Sequence, residues 1–240
     1  MQSLGDLKFC PELVELCSTR RVVGRSGRVC EVQGALSTVN NLITLRNLYL
    51  HLRPQRSLEV GLCYGASALL FTGSYRESGN PATGQHIALD PFQFTVWDDA
   101  GLLQIERAGL ASFFDFRSEY SGLELPRLLA AGSRFDMIYV DGSHLFEDVF
   151  MDAYYACRLL TPGGVVAFDD CSDPHVAKVI RFLQKNCTEG LGEIDLEPYR
   201  VGIGRSHRYR LARWLGQIQM RAFRCIGKVE RVWNAPFQNF

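Results

Sequence analysis

Acidic side chains stand directly after several short apolar segments of this chain. These residues are Asp90, Glu119, Asp141, Asp169 and Asp170. His144 follows Asp141 by three positions, and histidine titrates near neutral pH, which suits a general base. Adjacent carboxylates at the end of a buried segment are costly unless a positive charge is near, and carboxylate oxygens are the ligands that Mg²⁺ prefers. The pattern predicts acid–base chemistry with metal assistance in one cleft.

Each of these residues also has a purely structural interpretation. Asp90 before Pro91 is typical of a turn, and His144 is typical of a residue that begins a helix and makes a local hydrogen bond. Asp170 or Asp173 can cap the following helix while a single carboxylate faces the cleft. The residues alone leave these alternatives open.

A glycine turn precedes the acidic positions along the chain. Gly61 and Gly65 allow a strand to turn sharply into a helix, whose N-terminus favours anionic groups. Glu59 beside the turn can meet an ammonium group and the Ser67 hydroxyl can hold a carboxylate, so an amino acid ligand would satisfy both. The spacing G-x-x-x-G alone also occurs in tight strand-to-helix packing. It differs from the G-x-G-x-x-G of dinucleotide-binding proteins, which argues against a nicotinamide-dependent oxidoreductase.

The elements that would position these residues alternate between strands and helices. Predicted strands cover 57–60, 86–89, 113–117, 135–140 and 165–168, with one or two more in 193–204, and Pro81 and Gly84 mark a loop. Apolar spacing predicts helices over about 37–52, 98–108, 123–131 and 145–160, and others that begin near 66 and 173. The alternation predicts an α/β fold with a doubly wound, mostly parallel Rossmann-like sheet and helices on both faces. Ligands bind such sheets beyond the carboxyl ends of the strands, where the acidic residues fall.

The composition is that of an ordinary globular protein. The chain has 240 residues, of which 47% are hydrophobic, and its formal net charge is zero, so no nucleic-acid partner is expected. The eight cysteines include no C-x-x-C pair, which indicates free thiols in a reducing compartment. The N-terminal residues lack the features of a signal peptide, and no apolar run approaches membrane-spanning length. We therefore expect a cytoplasmic protein.

The glycine turn and the later acidic segments together resemble the class I S-adenosylmethionine-dependent methyltransferases. The segment LEVGLCYGASAL resembles the first motif of that family, and DGSH with FDD resembles its later motifs, over about residues 40–185. Within the family the chain is similar to the metal-dependent O-methyltransferases. These include the catechol O-methyltransferase-like enzymes and the macrocin-type sugar O-methyltransferases.

The resemblance implies a role for each candidate residue. The methionine part of the cofactor would be surrounded by Glu59, Gly61, Tyr64, Gly65 and Ser67. Asp90 would bind the ribose, while Ser118 and Glu119 would lie near the adenine. The ligands of a Mg²⁺ ion would be Asp141, Asp169 and Asp170. Asp141 would also lie beside the cofactor at the catalytic centre, and His144 would be the general base.

Some positions depart from the pattern of the catechol-type enzymes. Asp170 stands where those enzymes usually have asparagine, and Ser143 stands where they have an aromatic residue. His144 replaces their lysine but agrees with the macrocin-type enzymes. The expected function is methyl transfer from S-adenosylmethionine to a hydroxyl of a small molecule such as a sugar or another natural product, assisted by Mg²⁺. The alternatives are a metal-independent methyltransferase with another acceptor and a catalytically silent cofactor-binding protein.

The predicted organisation has three parts. An N-terminal extension covers 1–36, the cofactor-binding methyltransferase domain covers 37–204, and a basic amphipathic segment covers 205–240. From Arg205 to Arg231, eight basic residues stand against one acid, which is typical of a helix on a membrane surface or against an anionic partner. We favour the alternative that this segment packs on the sheet or on a second subunit. A homodimer is therefore among the expectations.

Overall fold

The computed structural model describes residues 4–32, 34–79, 85–201, 211, 214–215 and 217–240. The strands are β1 (Arg21–Val23), β2 (Val29–Glu31), β3 (Ser57–Val60), β4 (His86–Leu89), β5 (Phe114–Arg117), β6 (Phe135–Val140), β7 (Leu160–Phe168), β8 (Leu191–Ile194) and β9 (Arg221–Cys225). The α-helices are α1 (Pro11–Thr19), α2 (Val39–Leu52), α3 (Ala66–Glu77), α4 (Ala100–Arg107), α5 (Ser121–Ala130), α6 (Phe146–Leu159) and α7 (Pro174–Asn186).

The main sheet has seven strands in the order β5-β4-β3-β6-β7-β9-β8. Neighbours are parallel except for β9, which is antiparallel to both β7 and β8. From β3 the chain continues to β4 on one side and returns to β6 on the other, so the sheet is doubly wound at this point. The predicted α/β fold with a mostly parallel sheet is confirmed.

Hydrophobic cores lie on both faces of the sheet. On β6, Met137 and Tyr139 belong to the core on one face, and Ile138 and Val140 belong to the core on the other. This follows from the alternation of side chains along a strand. Because both faces are covered, the segment FDMIYV is apolar almost throughout rather than alternating with polar residues.

Capping residues explain where two helices that border the site begin. The Thr38 side chain accepts a hydrogen bond from the backbone N–H of Asn41 at the start of α2. Asp173 caps α7 by accepting from the N–H of His175, and Pro174 occupies the first turn. The sequence correctly predicts that Asp173 and Pro174 begin this helix.

The predicted N-terminal extension packs into the molecule. Leu7, Leu13 and Leu16 are buried in the same core as α3. The hairpin of β1 and β2 is bound to the loop after β4, where the Ser26 hydroxyl donates to Asp98 at 2.6 Å. The boundary predicted at residue 36 therefore does not separate an independent segment.

The C-terminal region differs from the prediction. Residues 202–210, which hold the start of the predicted basic segment and the end of the region predicted as the last strands, lie outside the described residues, as do residues 80–84 with the predicted loop. Farther on, 221–225 form β9 inside the main sheet, so this part is a strand rather than a helix. The domain predicted to end at residue 204 therefore leaves out one strand of its own sheet. In the described part of the chain, no helix is long and apolar enough to cross a membrane.

Candidate active site

A cavity of about 670 Å³ opens at the carboxyl ends of β3, β4, β6 and β7. Its volume lies within the usual range for a small-molecule site. The cavity is bordered by the glycine turn after β3, by Asp90, by the segment 141–148 and by 169–170. Residues 34–38, which precede α2, form a further wall. The cavity therefore lies where the direction of winding changes, as ligand sites of such sheets do.

Backbone hydrogen bonds hold the acidic residues at the same level of the sheet. The N–H of Asp141 donates to the carbonyl of Val60 at 2.9 Å, and the N–H of Asp169 donates to that of Val140 at 3.1 Å. The N–H of Asp90 donates to Arg117 on the other side. Each acid therefore continues the strand ladder by one residue and is brought beside its neighbour.

The glycine turn is tightly constrained by the strand end next to it. Gly61 has φ +95°, and a Cβ there would overlap the carbonyl oxygen of Asp141. Gly65 has φ +83°, and its Cβ would lie 3.0 Å from the carbonyl oxygen of Gly101. The turn reaches this close to β6 and α4 only because both positions are glycine. Tyr64 and Ser67, also predicted at the site, line the cavity.

Asp90 lines the cavity but is engaged mainly by the protein. Its Oδ2 accepts from the backbone N–H groups of Leu62 and Cys63, at 3.2 and 2.8 Å, and from Gln93 Nε2 at 3.1 Å. Its Oδ1 accepts from the N–H of Phe92 at 2.7 Å. Asp90 therefore holds the glycine turn in place, and a ribose would have to share the carboxylate with these donors.

Glu59 does not line the cavity, contrary to the prediction. Its side chain is fully buried in the sheet, where Oε1 lies 3.3 Å from Nε2 of His86. His86 stacks on Phe71 in the core and contacts the Ser57 hydroxyl through Nδ1 at 2.9 Å. Because side chains alternate along β3, Glu59 points into the core below the turn rather than toward the methionine end of a ligand.

The cavity wall beyond β5 is formed two positions after the residues predicted near the adenine. Ser118 and Glu119 do not line the cavity, whereas Tyr120 and Ser121 do. Glu119 is instead paired with Arg127 at 3.0 Å, and hydrogen bonding to that guanidinium lowers the pKa of the Glu119 carboxyl. The start of α5 thus turns Glu119 to the surface and presents the next residues to the cavity.

Three carboxylates meet at the ends of β6 and β7, as predicted. Burial raises the pKa of the Asp141 carboxyl well above its ordinary value, and the charges of Asp169 and Asp170 raise it further. Burial and the charge of Asp169 likewise raise the pKa of Asp170, while His144 opposes this shift. The cluster is therefore short of positive charge.

His144 faces this cluster from the loop before α6. Its Nε2 lies 3.0 Å from Oδ2 of Asp170, and about half of the His144 side chain is exposed to the cavity and solvent. Asp170 has φ +49°, a left-handed conformation that is strained for a residue with a side chain. At the next turn, the N–H of Phe146 donates to Nδ1 of His175, which fixes the start of α6. The prediction that His144 enters the same cleft as the carboxylates is correct.

The carboxylates are engaged by protein donors rather than arranged around a vacant centre. Asp169 accepts hydrogen bonds from Ser37, Asn41 and Tyr139, and Asp170 faces His144. Among the residues that the structure describes, no group of three or more His, Cys, Asp or Glu side chains is spaced to hold a metal ion. The predicted magnesium site therefore stays a prediction.

Several cavity residues are not among those predicted from the sequence. They are Ser37, Asn41, Phe92, Trp97, Tyr120, Asp148 and Gln219. Ser37 is the first residue of the predicted domain and Gln219 lies in the predicted C-terminal segment, and no motif marks either of them. Phe92 and Trp97 stand in a loop directly after Asp90, so their aromatic character near a strand end was an available signal.

Comparison with known proteins decides the class of this domain. Residues 58–171 match a family model described as a methyltransferase domain. This region is a methyltransferase domain. The match spans the glycine turn, Asp90, His144 and the three clustered carboxylates. No curated protein sequence matches the chain.

Solved methyltransferase structures share the fold. The O-methyltransferase TomG from Streptomyces achromogenes, involved in tomaymycin synthesis and solved with S-adenosylmethionine, aligns with a TM-score of 0.62 at 16% identity, covering 95% of this chain and 92% of that one. An O-methyltransferase from Bacillus cereus in complex with S-adenosylhomocysteine gives 0.62 at 16% identity over 92% and 91%. Cofactor-bound Rv0187 from MTB gives 0.62 at 18% identity over 93% and 91%. They show the fold that the prediction requires, and the match over 58–171 agrees with the predicted class I S-adenosylmethionine-dependent methyltransferase.

Proposed function

We propose that this methyltransferase transfers the methyl group of S-adenosylmethionine to a hydroxyl of a small molecule, such as a sugar or another natural product. The observation that carries the proposal is the His144–Asp170 pair in the cavity that also contains the glycine turn. An acceptor hydroxyl must lose its proton as its oxygen attacks, and a neighbouring imidazole can take it. The O-methyltransferases TomG and that of Bacillus cereus, which share the fold, support the same chemistry.

In this proposal, some residues of the cavity bind the cofactor and others transfer the proton. When bound, S-adenosylmethionine supplies a methyl group on a positively charged sulfur, and the sulfur leaves with the electron pair of the broken bond. The turn of Gly61 and Gly65 would admit the amino acid end of the cofactor, and the Ser67 hydroxyl at the start of α3 would donate to its carboxylate. His144 would accept the proton of the acceptor, and Asp170 at 3.0 Å would stabilise the imidazolium that results.

Magnesium assistance is part of the proposal. Three carboxylates, of which Asp169 is buried and Asp141 is partly buried, supply the hard oxygen donors that suit Mg²⁺, and a cation would oppose the rise in the pKa of Asp141 that desolvation and the neighbouring charges cause. Asp141, Asp169 and Asp170 would hold the ion. Bound there, Mg²⁺ would lower the pKa of an acceptor hydroxyl. A cytoplasmic location and a homodimer stay predictions.

Cofactor binding tests the first part of the proposal. Calorimetric titration with S-adenosylmethionine and S-adenosylhomocysteine should give one site per chain. Ser67→Ala should raise the Kd about tenfold or more, because a hydrogen bond to a charged group contributes about 1.5–3 kcal/mol. Ser74→Ala is the matched control, since Ser74 is buried on the same helix and its hydroxyl makes no hydrogen bond in the described structure. An absence of binding by the wild-type protein would overturn the proposal.

The acceptor class requires a second measurement. Transfer of tritium from methyl-labelled S-adenosylmethionine should be followed with a panel of hydroxylated sugars and phenols. Each acceptor should be paired with its analogue in which the hydroxyl is replaced by an amine or by hydrogen. Labelling of hydroxyl compounds alone supports O-methylation, and preferential labelling of the amine analogues would contradict it.

A further inference from the structure

Aromatic residues and the start of α6 form the wall of the cavity beyond Asp90. Phe92, in the loop after β4, and Tyr120, at the start of α5, both line the cavity. Their rings meet edge to face, with centroids 5.8 Å apart. Ser121 and Asp148 line the cavity as well. Two aromatic rings with a hydroxyl and a carboxylate form a wall that suits a planar heterocycle with a polar edge.

Asp148 lies close to the start of α5. The first turn of α5 packs on α6, since a Cβ added to Gly122 would lie 3.1 Å from Cε of Met151. Asp152 is buried on α6, one turn after Asp148, and burial raises the pKa of its carboxyl to about 7. The Ser121 hydroxyl opposes this rise in pKa and the charge of Asp148 adds to it, so all three groups are neighbours. Ser121 and Asp148 therefore border the same end of the cavity.

The Asp148 carboxylate is available to a ligand. It is half-buried, and none of the groups that the structure describes donates a hydrogen bond to it. Two other acids near this end are already engaged, because Asp90 accepts from the backbone of the glycine turn and Glu119 is paired with Arg127. A half-buried carboxylate has lost part of its hydration, which favours a ligand that donates a hydrogen bond to it.

The proposed orientation of the cofactor brings its adenine to this wall. The amino acid end lies at the glycine turn after β3, and the ribose lies at Asp90 after β4. The base then continues toward the end of β5, the next strand in the sheet, which leads to Tyr120 and Ser121. The exocyclic amine of adenine is a hydrogen-bond donor, and Asp148 offers the acceptor.

We propose that Asp148 is a specificity-determining residue that binds the exocyclic amine of the cofactor's adenine. The inference rests on the proposed function, in which S-adenosylmethionine occupies the cavity. A purely structural role has a different consequence, because an acid in the first turn of α6 stabilises the helix whatever the ligand. Glu147 separates the two roles. It belongs to the same first turn, but it is exposed and does not line the cavity.

Calorimetric titration of the full chain with S-adenosylhomocysteine and with its 6-deamino analogue tests the inference. In the analogue, hydrogen replaces the exocyclic amine. The wild type should bind S-adenosylhomocysteine about 10–100-fold more tightly than the analogue, as expected for a hydrogen bond to a charged group. Asp148→Ala should lose this preference, with an affinity for the analogue that is unchanged or higher, which also shows that the variant is folded. Asp148→Asn keeps an acceptor oxygen and should retain part of the preference.

Glu147→Gln is the matched control and should keep the full preference for adenine. Loss of the preference in Asp148→Ala alone supports the inference. A preference that persists in Asp148→Ala, an equal loss in both variants, or equal binding of the two ligands by the wild type overturns it and leaves the methyltransferase function standing. If the wild type binds neither ligand, the proposed function itself fails.

Discussion

At the scale of single residues, the sequence pattern does not show which carboxylates of the candidate site are free of hydrogen bonds from protein donors. Asp90 and Asp169 have nearly all of their acceptor capacity engaged by protein donors, whereas Asp170 faces only His144 and the cavity. A free carboxylate beside an imidazole can stabilise the charge that the imidazole acquires, whereas the donors to Asp90 keep that carboxylate on the glycine turn. In the proposed function, the chemical step would therefore depend most on His144 and Asp170.

Replacing the proposed base should separate chemistry from binding. His144→Gln should lower kcat about 10²–10⁴-fold, the usual contribution of a general base, and leave the Kd for S-adenosylmethionine unchanged. His51→Gln is the matched control, because His51 is exposed on α2 and packs on Tyr199 outside the cavity. Steady-state rates with an acceptor found by labelling check this. A His144→Gln enzyme with the kcat of the wild type would show that another group takes the proton.

A buried acid outside the cavity should control the pH dependence of stability. Asp152 on α6 is 1% exposed, and burial raises the pKa of its carboxyl from 3.8 to about 7. Because the folded state binds the proton more tightly, the stability due to protonated Asp152 is complete below about pH 4 and is lost as the pH rises through about 7.

Asp152→Asn should remove this loss. Relative to the variant, the wild type should lose on the order of 1–4 kcal/mol of unfolding free energy between about pH 4 and pH 8. Urea unfolding of both proteins across this range measures the difference. Parallel curves at all pH values would show that the pKa of Asp152 is the same in the folded and the unfolded state.

At the scale of elements, the sequence predicts which strand ends meet, but not every side chain that fills the space between them. The strand pattern and the acidic residues after each strand are local features, so Asp141, His144 and Asp169 could be placed correctly. Two of the donors to Asp169 come from residues more than a hundred positions away, and no local pattern marks Ser37 or Asn41. Glu59 was misplaced because its direction depends on the alternation within β3, which a fully buried strand does not reveal in its sequence.

The glycine turn depends on two elements that leave no room for a side chain. Gly61→Ala should raise the Kd for S-adenosylmethionine more than about tenfold and lower the melting temperature, because the new Cβ overlaps the carbonyl of Asp141 and displaces the end of β6. Gly132→Ala is the control for backbone strain alone. Its φ is +73° and nothing lies within 4 Å of the added Cβ.

Gly132→Ala should lower the free energy of unfolding by about 1–2 kcal/mol and leave the affinity for S-adenosylmethionine unchanged. Differential scanning calorimetry and binding calorimetry on the two variants measure both quantities. Equal affinities in Gly61→Ala and wild type would show that the turn can open without consequence for the ligand.

At the scale of the whole molecule, segments predicted as separate belong to one fold. The walls of the cavity extend along the chain from Gly34, within the predicted extension, to Gln219, beyond the predicted end of the domain. Sequence patterns located the central sheet because its strands are apolar and regular. They missed β9 because its segment RAFRC carries two arginines, and its place between β7 and β8 depends on long-range pairing.

This distribution of the walls predicts that cofactor binding stabilises the entire fold. A ligand that contacts segments from Gly34 to Asp170 cannot remain bound when any of the intervening elements unfolds, so its binding energy should appear in global stability. At a concentration of 100 times Kd, S-adenosylhomocysteine should add about 2.7 kcal/mol. For a chain of this size, that corresponds to a rise in Tm of about 5–10 °C. Gly61→Ala should show a much smaller rise at the same ligand concentration, while Gly132→Ala should rise as the wild type does. A wild-type Tm that does not change under conditions where calorimetry detects saturation would show that the ligand binds a part of the chain that melts separately from the sheet.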